Sequence, residues 1–147
     1  LVISVDDPER GPRKADAPWE GDSIELFLDS APLSDPENRD AGKTVRRLFL
    51  APPSSNGLPE YRSASGMNVS ALAARIREHS DGYCAEIRIP WSELGMRSAD
   101  VLGLDIKINN ADAKGKVSRS IWSGNNDNHR FRDRYGLWYP RKGDSRQ

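Results

Sequence analysis

One cysteine, two histidines and no long apolar run set the first limits on this 147-residue chain. With Cys84 alone there is no internal disulfide, and its place in an apolar, strand-like run reads as a small buried thiol. His79 and His129 stand apart with no metal-binding spacing around them, and no GxSxG, HExxH, Walker loop or dinucleotide fingerprint is present. No segment approaches the roughly 20 apolar residues needed to span a bilayer. An excess of one charge is missing too: 22 basic residues balance 22 acidic ones, so no net field draws in a polyanion or an anionic lipid surface. Nucleic acid and membrane are therefore not expected partners. Hydrophobic residues make up only 36% of the chain, and ten prolines and twelve glycines punctuate it, a composition that favours short strands joined by turns.

The pattern that is present is alternation. In "LVISVDD" Leu1, Ile3 and Val5 face one way and Val2, Ser4 and Asp6 the other, the period of a half-buried strand. "SIELFLD" sets Ile24, Leu26 and Leu28 inward and Glu25, Phe27 and Asp29 outward, and "TVRRLFLAP" is a third candidate strand. "GYCAEIRIP" aligns Tyr83, Ala85, Ile87 and Ile89, while "GLDIKIN" sets Leu104, Ile106 and Ile108 against Asp105, Lys107 and Asn109. Asp81-Gly82 favours a tight hairpin pairing residues 69–78 with 83–90, chosen over a short helix at "SALAARIRE" capped by Ser70. "PWSELG" reads as one helical turn opened by Pro90 and closed by Gly95, and 30–43 and 52–68 read as loops. Trp91 and Trp122 are expected in the core and Trp138 in strand packing. The length suits one domain, 1–147, and the abrupt opening strand is expected to follow earlier strands of a longer chain.

Four stretches, "WEGDSIELFLD", "GYCAEIRIPWSELG", "GLDIKINNAD" and "SIWSGNNDNHRFRDRYG", resemble in order and spacing the family 9 carbohydrate-binding modules. The resemblance runs from Leu1 to about Tyr139. It implies an all-β, jelly-roll-like antiparallel β-sandwich acting as a non-catalytic accessory domain of an extracellular or periplasmic polysaccharide-active protein. Its expected partners are a mono-, oligo- or polysaccharide such as xylan and a catalytic domain on the same chain. In sugar-binding members two aromatics clamp a sugar ring, whose C–H faces suit an aromatic face. The resemblance places one at Trp19 and the other at Phe131, with Tyr135 or His129 as alternatives for the second. It implies hydroxyl contacts from Glu25, from Arg46 or Arg47 according to register, and from Asn128 or Asn126. Lys107 stands where binders carry glutamine, and Phe49 or Leu48 where an asparagine is expected. Asp6, Asp7, Asp29 and Asp112 are the candidate ligands for a structural calcium.

Other readings stand beside these. Trp19 as a packing lid, or Glu25 and Arg47 as a cross-strand ion pair on a solvated sheet face, would need no ligand. Asn68-Val69-Ser70 fits a glycosylation acceptor. A glycosidase would need two carboxyls about 5–9.5 Å apart, but Asp22 and Glu25 lie three residues apart on one strand and point to opposite faces. The alternative function is a sandwich that has lost sugar binding and serves protein docking or haem binding, with Met67, Met96, His79 and His129 as possible axial ligands.

Overall fold

A computed structural model describes residues 1–9, 11, 16–34, 37, 42, 44–52, 60–63 (backbone only), 67–97 and 100–139. Nine strands are present among them: β1 Val2–Asp6, β2 Ser23–Asp29, β3 Val45–Ala51, β4 Glu60–Ser63, β5 Ala73–His79, β6 Gly82–Arg88, β7 Leu102–Ala111, β8 Val117–Ile121 and β9 Gly136–Trp138. They form an antiparallel three-stranded sheet, β1-β6-β5, and a larger sheet, β4-β3-β2-β7-β8. In the larger sheet β7 is shared along one edge, with β8 pairing Lys107–Ala111 and β9 pairing Leu102–Leu104.

The alternating apolar residues meet between the two sheets. Ile24, Leu26, Leu28, Leu48, Leu50, Leu102 and Leu104 of the larger sheet pack against Val5, Tyr83, Ala85 and Ile87 of the smaller in one buried cluster. Ile3, Ile89, Ile106 and Ile108 lean on it, whereas Leu1 stays 48% exposed at the chain's first residue. The β-sandwich expected from the alternation is thus the observed architecture.

The hairpin expected around Asp81-Gly82 forms, though His79 pairs with Gly82 and the two turn residues are Ser80 and Asp81. Gly82 carries the positive φ, 154°, and a Cβ there would lie 1.9 Å from the Val5 carbonyl oxygen, so only glycine lets β1 approach β6 at this point. The helix alternative for 70–78 is not adopted. A single 3₁₀ turn, Val69–Ala71, precedes β5, and Asn68 caps it by accepting from the Ser70 backbone N–H at 3.2 Å. "PWSELG" makes its turn as expected, with Gly95 at φ 66° in the left-handed region.

Three expectations need correction. The stretch read as a loop over 52–68 contains β4, which extends the β3 ladder. Trp122 is not core: it is 58% exposed at the sandwich edge, its N–H extending the β7–β8 ladder by donating to the Ile106 carbonyl and its ring covering Gly136. Trp91, by contrast, packs on the core and stacks on Trp138 at 5.7 Å between centroids. Finally, the outward face of the larger sheet is not a solvated face, since every residue of β2 is buried. Of the 30–43 stretch, residues 35, 36, 38–41 and 43 lie outside the described residues.

The cover on that face is the segment after β8. Asp105 accepts from the backbone N–H groups of Ser123 at 2.8 Å and Gly124 at 2.7 Å, and from the Asn128 side-chain amide. Tyr135 lays its ring against Phe27 at 5.8 Å and donates its hydroxyl to the Asn128 carbonyl at 2.6 Å. Arg132 pairs with Asp29 at 2.9 Å and also donates to the Ala31 carbonyl and the Thr44 hydroxyl. Residues 122–135 are therefore tied over the Asp29–Phe27–Asp105 part of the face, and the part around Glu25 and Lys107 opens into a pocket.

Candidate functional site

Four adjacent strands supply the pocket floor. Arg47 of β3, Glu25 of β2, Lys107 of β7 and Arg119 of β8 all stand on the face turned away from the apolar core, because each is in phase with its neighbour's outward residues. Glu25 sits directly across from Lys107, Arg47 lies diagonal to Glu25, and Arg119 sits opposite Asn109, two residues beyond Lys107. Trp19, in a 3₁₀ turn just before β2, and Asn126 and His129 of the covering segment complete the lining of a cavity of about 450 Å³.

Polar contacts fix the turn that carries Trp19. The Ser23 hydroxyl donates to the Pro18 carbonyl at 2.7 Å, and Arg119 donates to the Trp19 carbonyl at 3.3 Å. The Trp19 ring leans on Phe49, 5.9 Å away and tilted by 49°, yet 41% of the residue stays exposed. A lid packed over the core would be buried; this indole is held on one side and open on the other.

Glu25 is 1% exposed, and its Oε1 pairs with the Arg47 guanidinium. Its Oε2 lies 3.7 Å from the Lys107 ammonium, beyond hydrogen-bond length, and is buried without a hydrogen-bond donor. Burial lowers the Lys107 pKa below 10.5. Glu25 opposes that shift, while the like charges of Arg47 and Arg119 reinforce it. Lys107 donates to the Asn126 carbonyl at 3.3 Å and lies 5.2 Å from the Phe27 ring centroid.

The register settles the choice between the two arginines on β3. Arg47 is in phase with Glu25, whereas Arg46 is in phase with the core residues Leu48 and Leu50 and does not line the pocket. On the covering segment, Asn126 and His129 line the pocket, whereas Asn128 is 1% exposed and holds the segment together, its Oδ1 accepting from the Asn125 N–H at 2.8 Å. Phe131 is outside the lining: its N–H donates to the Asp127 carbonyl and the Arg130 guanidinium sits 5.4 Å from its ring centroid. Tyr135 is spent on Phe27, as described above. Arg119 is the one pocket residue the sequence reading missed, because "VSRSI" has two half-buried ends and three exposed middle residues and so carries no apolar alternation.

A family model described as "Carbohydrate family 9 binding domain-like" matches residues 1–137. The chain belongs to this family. Family 9 domains of this kind are non-catalytic binding modules, in keeping with the position of Asp22, whose carboxylate accepts from the backbone N–H groups of Gly11 and Ala111 instead of facing Glu25. Among solved structures, a family 9 carbohydrate-binding module from Caldicellulosiruptor kristjanssonii in complex with cellotriose superposes with a TM-score of 0.74 at 18% identity, covering 98% of this chain and 70% of that one. The complex with glucose gives 0.73 at 17% identity, covering 99% and 73%. The endo-1,4-beta-xylanase A of Thermoanaerobacterium saccharolyticum is 30% identical over 105 residues, 67% of this chain and 8% of that protein. That of Thermotoga maritima is 26% identical over 112 residues, 76% of this chain and 10% of that protein. This chain thus covers a tenth or less of the length of these curated relatives.

The four carboxylates considered for calcium do not form one donor set. Asp29 is committed to Arg132, and Asp112 closes its own turn by accepting from the Lys114 and Lys116 N–H groups at 2.9 Å each. Asp6 and Asp7 follow one another at the end of β1, where Asp7 accepts from the Glu9 N–H. Among the described residues no group of three or more histidine, cysteine, aspartate or glutamate side chains is placed to hold a metal.

Proposed function

We propose that the pocket binds a saccharide ring, with Trp19 as the stacking wall, His129 on the loop side as the second ring, and Glu25 and Arg47 as hydroxyl partners. One observation carries the reading: a half-exposed indole, open on one side, stands over a pocket whose wall is otherwise polar, with Glu25, Arg47, Asn126 and His129 in its lining. A sugar offers the C–H face that the open side of the indole lacks, and hydroxyls that donate to and accept from the polar side chains around it. Family membership supports the same reading, as do relatives named as xylanases and structural neighbours holding cellotriose and glucose.

The module is proposed to act as an accessory domain of a secreted polysaccharide-active protein, bringing a catalytic domain on the same chain to its substrate. Calorimetry with glucose, xylose, cellotriose and xylotriose tests the binding. Trp19→Ala should weaken the best ligand by roughly 2–4 kcal/mol, as loss of an aromatic anchor does. A variant that keeps full affinity, or a folded domain that takes none of these sugars, overturns the reading. A structural calcium also belongs to the proposal, on the resemblance alone, and would need donors other than the four acids together. Thermal melts with calcium and then with chelator test it, and coincident curves overturn it.

A further inference from the structure

The pocket has more positive charge than a neutral sugar calls for. Its lining carries three cationic side chains, Arg47, Lys107 and Arg119, against the single carboxylate of Glu25. Arg47 and Glu25 neutralise one another in direct contact. That leaves Lys107 and Arg119 on neighbouring strands. Lys107 reaches Glu25 only at 3.7 Å and spends its hydrogen bond on the neutral Asn126 carbonyl. Arg119 donates to the Asn109 side-chain carbonyl and the Trp19 carbonyl, both neutral, and among the described residues no carboxylate pairs with it.

Hydrogen-bond chemistry points the same way. The hydroxyls of a neutral sugar donate as readily as they accept, and a pocket matched to them offers both kinds of partner. Here the charged floor has one acceptor group and three that only donate. The second strand position from Lys107 puts Arg119 diagonal to it, about 7–8 Å away between backbones, a span that two long side chains close around one planar anion. Like charges gathered this way also repel one another, and a bound anion relieves that repulsion.

We infer that the saccharide this pocket prefers is acidic, a sugar whose ring carries a carboxylate, held between the Lys107 ammonium and the Arg119 guanidinium while the ring stacks on Trp19. The inference rests on the saccharide-binding reading and narrows it to a class of ligand. The test is calorimetry on the wild-type domain with D-glucuronic acid and D-glucose at low salt, repeated at high salt, then with Arg119→Gln and Lys107→Gln. Glucuronic acid should bind about tenfold more tightly than glucose at low salt, the gain of one charge-assisted contact. The ratio should shrink at high salt and in either variant. Circular dichroism and a thermal melt confirm that each variant is folded before its ratio is read. Equal affinity, or tighter binding of glucose, overturns the acidic preference and leaves the saccharide reading standing. Glucuronic acid favoured with no change in ratio in either folded variant overturns the assignment to Lys107 and Arg119. Binding of neither sugar overturns the acidic preference, and the saccharide reading falls with it only if xylose, cellotriose and xylotriose are refused as well.

Discussion

Asp105→Asn should cost both the fold and the pocket. Asp105 is fully buried, and its two oxygens accept three long-range hydrogen bonds, from the Ser123 and Gly124 N–H groups and the Asn128 amide, besides one from Ile106 next to it. Asparagine fills the same volume but turns an NH₂ toward donors, because Oδ2 alone receives Gly124 and Asn128. Bonds to a charged group contribute about 1.5–3 kcal/mol each, and the freed N–H groups recover part of that from water as the segment lifts. A net loss of about 3–4 kcal/mol follows, out of the 5–15 kcal/mol typical of a domain. At about 2–4 °C per kcal/mol, near the rate for domains of this size, the melting temperature should fall by roughly 10 °C. The same change should free the segment that carries Asn126 and His129, so trypsin should cut at Arg130 or Arg134 well before the rest of the native domain, and saccharide affinity should drop in parallel. If the variant melts within about 2 °C of the wild type, resists trypsin and binds equally well, then Asp105 does not tie the cover to the sheet and the account of how the pocket is built is wrong.

Glu25→Ala should destabilise the domain by about 3–5 kcal/mol in denaturant titration, because it leaves Arg47 and Lys107 without their shared buried partner; a loss under about 1 kcal/mol would mean a solvated pair. Lys107 has a folded-state pKa below its unfolded value of 10.5, so the unfolded chain holds that proton to higher pH and stability should rise with pH from the lowered pKa toward 10.5; urea midpoints across that range should show the rise in the wild type and not in Lys107→Gln. Tyr135 has the opposite sign: burial raises its phenol pKa above 10.0, so the stability it contributes is complete below pH 10 and is lost as the pH climbs further, and Tyr135→Phe should show a shallower alkaline loss by the same titration. Gly82→Ala should destabilise the β5–β6 hairpin, since a Cβ collides with the Val5 carbonyl at a positive φ; an unchanged melting temperature would contradict that.

Most of the sandwich was legible in the chain because the information is local. Five strands announced themselves by inward apolar residues at period two, and the hairpin turn and the "PWSELG" turn by glycine and proline at positions that need them. β4 and β8 did not, because an edge strand is held by ladder hydrogen bonds to a neighbour and needs no apolar face of its own; the three exposed residues in the middle of β8 show this. Composition and phase alone determined that Glu25 and Lys107 share the face turned from the core. Whether that face meets water depended on residues a hundred positions away. Tyr135, Arg132 and Asn128 cover Phe27, Asp29 and Asp105, turning an outward face into a buried one and leaving the pocket at its open end. The same long-range packing decided that Arg47 and not Arg46 enters the pocket, that Arg119 joins it, and that Phe131 lies outside its lining, because strand register and loop anchoring are set by partners far along the chain and leave no mark in the neighbouring sequence.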